Sequence, residues 1–269
     1  MFGTTIYVLL GIMIAAGVLL PGSLAFWWIR TRHEKITTML LGAAGFFVFA
    51  LILESIVHSI VLTAFPIVFE KTVLYTIYGA LMAGLFEETA RFLIFKFLLK
   101  KRTNRETSIS YGIGHGGIEA FIFLAYAGAQ YVIYAILIEQ GQLQSMIDSA
   151  AKAGADTASL EALPEAIASL TAGSIALSCF ERVSAILIHI ALSVIVFYGV
   201  KKSRISLYFL AILLHALFDV PAALYQKGVI TSMPFLEIFM FVFATVAFAT
   251  VYKLLYSKDT EPGEVAPSV

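Results

Sequence analysis

Three pairs of ionisable residues in this chain repeat one spacing: Glu87 and Arg91, His115 and Glu119, His215 and Asp219 are each four residues apart. On a helix that spacing puts both members of a pair on one face, one turn apart. All three pairs lie inside strongly apolar stretches, as do Glu88, the Glu54–His58 pair, the adjacent Glu181 and Arg182, and His189. An ionisable side chain in such a stretch is expensive and marks a function by default. Glutamates beside an arginine suit proton transfer: Arg91 can balance the charge of Glu87 or Glu88 while the other carries a proton. Three histidines, His115, His189 and His215, suit one divalent metal ion, zinc by preference, with a glutamate or water in the remaining position. Glu119 and Asp219 then orient the imidazoles or ligate directly. A metal-free arrangement is equally legible, in which Glu87 and His115 activate water while His215 with Asp219 stabilises an oxyanion.

Depth argues that these groups form one site. Counted at about 1.5 Å per helical residue from the nearest basic cluster, Glu87, His115, Glu119, His189, His215 and Asp219 all fall roughly 15–22 Å in. Six residues from four segments share one layer, as an assembled site requires. Glu54 and His58 map nearer the far end of their segment and read as a supporting or entry pair. Glu181 and Arg182 map to the same end and read as a structural ion pair. The run Tyr111-Gly112-Ile113-Gly114-His115-Gly116-Gly117 is dense in glycine. That density predicts either local unwinding around a substrate or close helix packing through the Gly112–Gly116 pair.

The elements that must position this layer are membrane helices. With 60% apolar and 13% charged residues over 269 positions and a mean hydropathy of +0.90, the chain has too little polar surface for a water-soluble globule. Stretches long enough to span a bilayer run Thr4–Ile29, Ile36–Phe65, Thr72–Leu99, Ser108–Ile138, Ala166–Val200, Ile205–Tyr225 and Thr231–Tyr256. The expected fold is therefore an all-α polytopic bundle of about seven transmembrane helices, with the first segment retained as a span. Arg30, Arg32, Lys35, Lys100, Lys101, Arg102, Arg105, Lys201, Lys202, Arg204, Lys253 and Lys258 follow alternate segments, against Lys71, Lys152 and Lys227 in the other connections. That bias places the N-terminus outside and the C-terminus in the cytoplasm.

Residues 1–258 read as a single transmembrane domain with an external loop at 139–165, and 259–269 as a disordered cytoplasmic tail. The 18 basic and 18 acidic residues cancel, so nothing draws the chain to nucleic acid. The single cysteine, Cys179, excludes an internal disulfide or a thiolate cluster. An HExxH zinc helix, a GxGD pair and a GxSxG nucleophile are all missing, which removes three membrane-protease classes.

The ordered motifs resemble the CAAX-processing and bacteriocin-processing membrane endopeptidases and the related PrsW and YhfC families. Glu87-Glu88-Thr89-Ala90-Arg91 looks like their EExxxR, Tyr111 to His115 like FxxxH, and His215 to Asp219 like HxxxN or HxxxD. Gly114-His115-Gly116-Gly117-Ile118-Glu119 and the stretch from Glu181-Arg182 to His189 resemble the YhfC type most. The resemblance implies an intramembrane endopeptidase acting on a membrane-associated peptide or protein, in a prokaryotic cytoplasmic membrane; the site could open to the cytoplasm, to the outside or laterally to lipid, and lateral entry between helices is the expected route for a membrane substrate. It implies Glu87 and His115 as the water-activating pair, Glu88 as a supporting carboxylate and His215 with Asp219 as the third motif. The first motif is one residue short and Asp replaces Asn, which re-aims Arg91 and, with His189 and Glu119 added, favours a metal-centred site. A metal-ion or proton transporter using the same layer is the competing expectation.

Overall fold

The computed structural model describes residues 2–259. Seven long helices and no strand occur among the described residues: α1 (Thr4–Arg32), α2 (Ile36–Ala64), α3 (Thr72–Leu93), α4 (Glu106–Glu139), α5 (Ala172–Lys201), α6 (Ile205–Gln226) and α7 (Met233–Leu254). The all-α expectation holds, and the helix starts at Thr4, Ile36, Thr72 and Ile205 are those read from the sequence. Six of the helices are long and apolar enough to cross a membrane; α3 is the exception. Its shortfall comes from Glu87, Glu88 and Arg91, which are buried in the protein instead of facing lipid.

The fifth segment starts later than expected. A short helix Leu163–Ala168 ends before Thr171, and α5 begins at Ala172. Thr171 Oγ1 accepts from the Ser174 backbone N–H at 3.1 Å while Ser174 Oγ accepts from the Thr171 N–H at 3.0 Å. This reciprocal cap satisfies donors that a continuous helix would have used, and it fixes the break. The expected external loop holds that helix and two more, Leu143–Lys152 and Ala158–Glu161. Asp259, the first residue of the expected tail, is buried and accepts from Lys201 Nζ at 2.8 Å; the rest of the tail lies outside the described residues.

By their internal contacts the residues fall into two compact units where the sequence suggests one domain. The first joins the chain up to Leu20 with Ala120–Phe180. Its core packs Leu9 and Met13 against Leu124 and Ile175, with Cys179 at the edge. Gly17 lets the two helices meet, since a Cβ there would come within 2.8 Å of Leu124 Cβ.

The second unit joins Pro21–Glu119 with the residues from Glu181 onward and carries every candidate site residue. Here α3 lies along α6, closely enough that a Cβ on Gly84 would be 2.8 Å from the Ile212 carbonyl oxygen. The glycine run in α4 is continuous helix, so the unwinding alternative is not what the run encodes. Gly112 and Gly116 face α5, where added Cβ atoms would lie 2.6 Å from Ile190 Cα and 2.8 Å from Ile186 Cα. Gly114 faces the Met39 backbone of α2 with no room for a side chain. Small residues on both sides of α4 thus bring α2 and α5 to backbone contact around His115.

Three helices carry π-type turns next to site residues. Phe47–Glu54 ends on Glu54, Ile94–Leu98 follows Arg91 by three residues, and Phe121–Tyr126 follows Glu119 by two. Such turns change the angular position of the residues on either side, and they recur at functional sites.

Candidate metal centre

Glu87 projects from α3 into a ring of three histidines from three other helices. Its Oε2 lies 2.8 Å from His115 Nε2 on α4, 3.8 Å from His189 Nδ1 on α5 and 3.9 Å from His215 Nε2 on α6. The His189 ring meets both others, with centroids 4.7 Å apart for His115 and His189 and 5.4 Å apart for His189 and His215. His115 and Arg91 have no exposed surface, and Glu87 and both other histidines are buried.

The far nitrogens are held by carboxylates. His189 Nε2 donates to Glu119 Oε2 at 2.7 Å, and His215 Nδ1 donates to Glu88 Oε1 at 2.8 Å. In a neutral ring each donation puts the proton on that nitrogen and leaves the other bare: His215 Nε2 on the Glu87 side, and His189 Nδ1 3.8 Å from Glu87 Oε2 while it accepts from Arg91 Nη2 at 3.2 Å. The carboxylates are anchored in turn: Arg182 Nη1 donates to Glu119 Oε1 at 2.7 Å and Arg91 donates to Glu88. Arg182 also pairs with Glu181. Asp219 Oδ2 stands 3.4 Å from His215 Nε2 with its side chain 29% exposed, the most open of the carboxylates touching a histidine. His115 is backed edge-on by Phe46, its ring centroid 5.3 Å away.

Chemically this is a place for a cation. In the neutral tautomers, His189 Nδ1 and His215 Nε2 converge on Glu87 Oε2 as electron-rich atoms with no hydrogen to share. Glu87, His115 and His189 each bring one ligand atom within 4.8 Å of the others. Of the carboxylates around the histidines, Glu87 and Glu88 are buried and Glu119 has its side chain 14% exposed, beside the guanidiniums of Arg91 and Arg182. Glu181 and Asp219 are more open, each with its side chain 29% exposed. Imidazole nitrogens with a carboxylate, each outer nitrogen on a second carboxylate, make a donor set that fits a divalent ion such as Zn²⁺.

Eight of the residues singled out from the sequence thus meet in one cluster: Glu87, Glu88, Arg91, His115, Glu119, His189, His215 and Asp219. Arg182 also joins it, because it holds the carboxylate that holds His189, and Glu181 pairs with Arg182; the contact of Arg182 with Glu119 is an ion pair to another helix, the kind read from the sequence for this pair. Glu54 and His58 form a separate group. His58 Nε2 contacts Glu54 Oε1 at 3.1 Å and its Nδ1 contacts the Tyr78 hydroxyl at 2.8 Å. Tyr78 was not foreseen, and its place one residue before Gly79 in an apolar run carries no signal. Glu237, buried in α7, was also passed over as a single acid near a helix start.

Residues 12–240 match the model of the YhfC intramembrane metalloprotease family. The chain is 35% identical over 247 residues to the uncharacterized membrane protein YhfC of Bacillus subtilis (strain 168), covering 91% of this chain and 93% of that protein. No solved structure matches. With six apolar helices of spanning length and a bacterial membrane protein as relative, this is an integral membrane protein, in keeping with a bacterial cytoplasmic membrane. A match that runs from α1 into α7 takes in all four helices that build the histidine–carboxylate centre, and the chain belongs to the YhfC intramembrane metalloprotease family.

Proposed function

We propose that the chain is a metal-dependent intramembrane endopeptidase that hydrolyses a peptide bond of a membrane-associated peptide or protein. One observation carries the reading: a single glutamate oxygen, Glu87 Oε2, lies within 3.9 Å of a nitrogen of each of three histidines on three other helices. His115, His189, His215 and Glu87 would hold the ion, Zn²⁺ by preference. When bound it supplies Lewis acidity toward a carbonyl oxygen or a water.

The remaining residues position and exchange protons. Glu119 and Glu88 aim the His189 and His215 lone pairs inward, and Arg182 and Arg91 hold those carboxylates in place. Asp219, on the open side of the centre, is placed to take a proton from water and return it to the leaving amine. Glu54, His58 and Tyr78 form a polar group outside the centre that lines the approach. Because the site helices lie within the bilayer, a substrate enters laterally between them. The N-terminus lies outside and the C-terminus in the cytoplasm, as the basic clusters direct.

The test uses purified protein in detergent with a library of membrane-spanning peptides. Cleavage by the wild type that stops with a chelator, returns with Zn²⁺ and is lost in Glu87→Gln is expected. Chelator-insensitive cleavage would sink the metal-dependent form, and histidine-dependent ion flux into liposomes without any cleavage would favour transport instead.

A further inference from the structure

The position of Arg91 conflicts with a filled centre. Its guanidinium, fully buried, donates through Nη1 to Glu88 and through Nη2 to His189 Nδ1 at 3.2 Å. A guanidinium has no acceptor, so His189 Nδ1 must be the acceptor, in agreement with the donation of Nε2–H to Glu119. The ring has one lone pair in its plane, at Nδ1. That same atom lies 3.8 Å from Glu87 Oε2, and His189 is one of the three residues that each bring a ligand atom within 4.8 Å of the others. One lone pair cannot serve both Arg91 and a metal ion.

We infer that Arg91 is a placeholder cation: it holds His189 and balances the carboxylates in the metal-free protein, and it must release His189 Nδ1 for a divalent ion to bind. The inference rests on the metal-dependent reading above.

The surroundings supply the second position. Glu88 Oε2, on the carboxyl group Arg91 already touches, is buried without a hydrogen-bond partner. So is the Tyr111 hydroxyl, on a ring whose centroid lies 5.9 Å from Arg91 Cζ, and so is Arg91 Nε itself. Buried polar atoms are nearly always paired, and a partly satisfied buried network is costly. Two of these, Glu88 Oε2 and the guanidinium's own Nε, are accounted for if Arg91 has another resting place against Glu88. Turning from His189 toward Glu88 Oε2 would keep the charge beside a carboxylate and free the histidine.

Arg91→Lys separates this from a structural role. Lysine keeps a positive charge beside Glu88 but is a point donor without the fork that spans Glu88 and His189. Titration of the metal-free protein in detergent with Co²⁺ alone, read by the visible absorption of the bound ion, should give about tenfold tighter binding in Arg91→Lys than in wild type. Equal or weaker binding in a folded variant overturns the placeholder. A wild type that takes up no Co²⁺ overturns the metal-dependent reading itself. Since the variant can fail to fold, the wild type is also examined by NMR with ¹⁵N-labelled arginine side chains. Addition of Zn²⁺ should shift one buried guanidinium resonance, and an unchanged set of buried arginine signals under saturating Zn²⁺ would contradict the inference.

Discussion

At the scale of single residues, the centre depends on partners that never reach the ion. Glu119 sets the tautomer of His189, and Arg182 sets the position of Glu119. Loss of such an outer hydrogen bond typically weakens a metal site about 10–100-fold. Glu119→Gln is therefore expected to raise the Zn²⁺ dissociation constant by about that factor, measured by competition with a chromophoric chelator, while the protein still folds. Arg182→Gln should move affinity the same way by less, because Glu119 keeps its bond to His189. Unchanged affinity in both variants would remove the outer carboxylate from the account. The candidate residues were legible in the sequence because ionisable groups stand out in apolar segments and shared a depth. What was not legible was partnership. Arg91 one turn from two glutamates and the adjacent Glu181–Arg182 pair could each close several ways, and only the rotation of each helix selects His189 and Glu119 as their targets.

At the scale of elements, the glycines of α4 decide how near His115 comes to Glu87. Gly114 meets the Met39 backbone, which cannot move aside as a side chain can. Gly114→Ala is expected to destabilise the protein by about 1–3 kcal/mol through overpacking, with activity falling in parallel. Gly79→Ala, where a Cβ would meet nothing within 4 Å, serves as the matched control and should leave the melting temperature in detergent unchanged or slightly raised. Equal melting temperatures for the two variants would mean that α2 and α4 are not in backbone contact at this point. Helix extents were legible almost to the residue, because each span is bounded by basic or turn-forming residues. The break before Ala172 was not, since Thr171 and Ser174 lie in a run whose composition suits either a loop or a helix. The π-type turns were silent as well, because nothing in Phe47–Glu54 or Phe121–Tyr126 differs in kind from ordinary apolar helix.

At the scale of the whole molecule, the basic clusters predict a topology that single-cysteine labelling can check. With Cys179 replaced, a cysteine at Ser203, between α5 and α6, should react with a membrane-impermeant maleimide only after the cells are opened. One at Ser145, in the helix Leu143–Lys152, should react in intact spheroplasts. The reverse pattern would invert the orientation. The sequence made α3 a span like the others, while the structure shows it as the long helix that falls short of the apolar character of a span, lying along α6. Its charges are tolerated because its own Arg91 pairs with Glu88 and the histidines of three other helices cover Glu87, Glu88 and Arg91; the second of these is a fact of assembly that no window of its own sequence contains.

The central claim, that Glu87 and three histidines form one metal centre, is tested most directly by X-ray absorption at the zinc edge of protein purified with Zn²⁺ and washed free of loose ion. About one zinc per chain is expected, with nitrogen and oxygen ligands at about 2.0–2.1 Å and the multiple-scattering pattern of imidazole. That pattern should weaken in His189→Ala and in His215→Ala alike. A zinc shell without imidazole scattering, or a wild type that retains no zinc after washing, would contradict it.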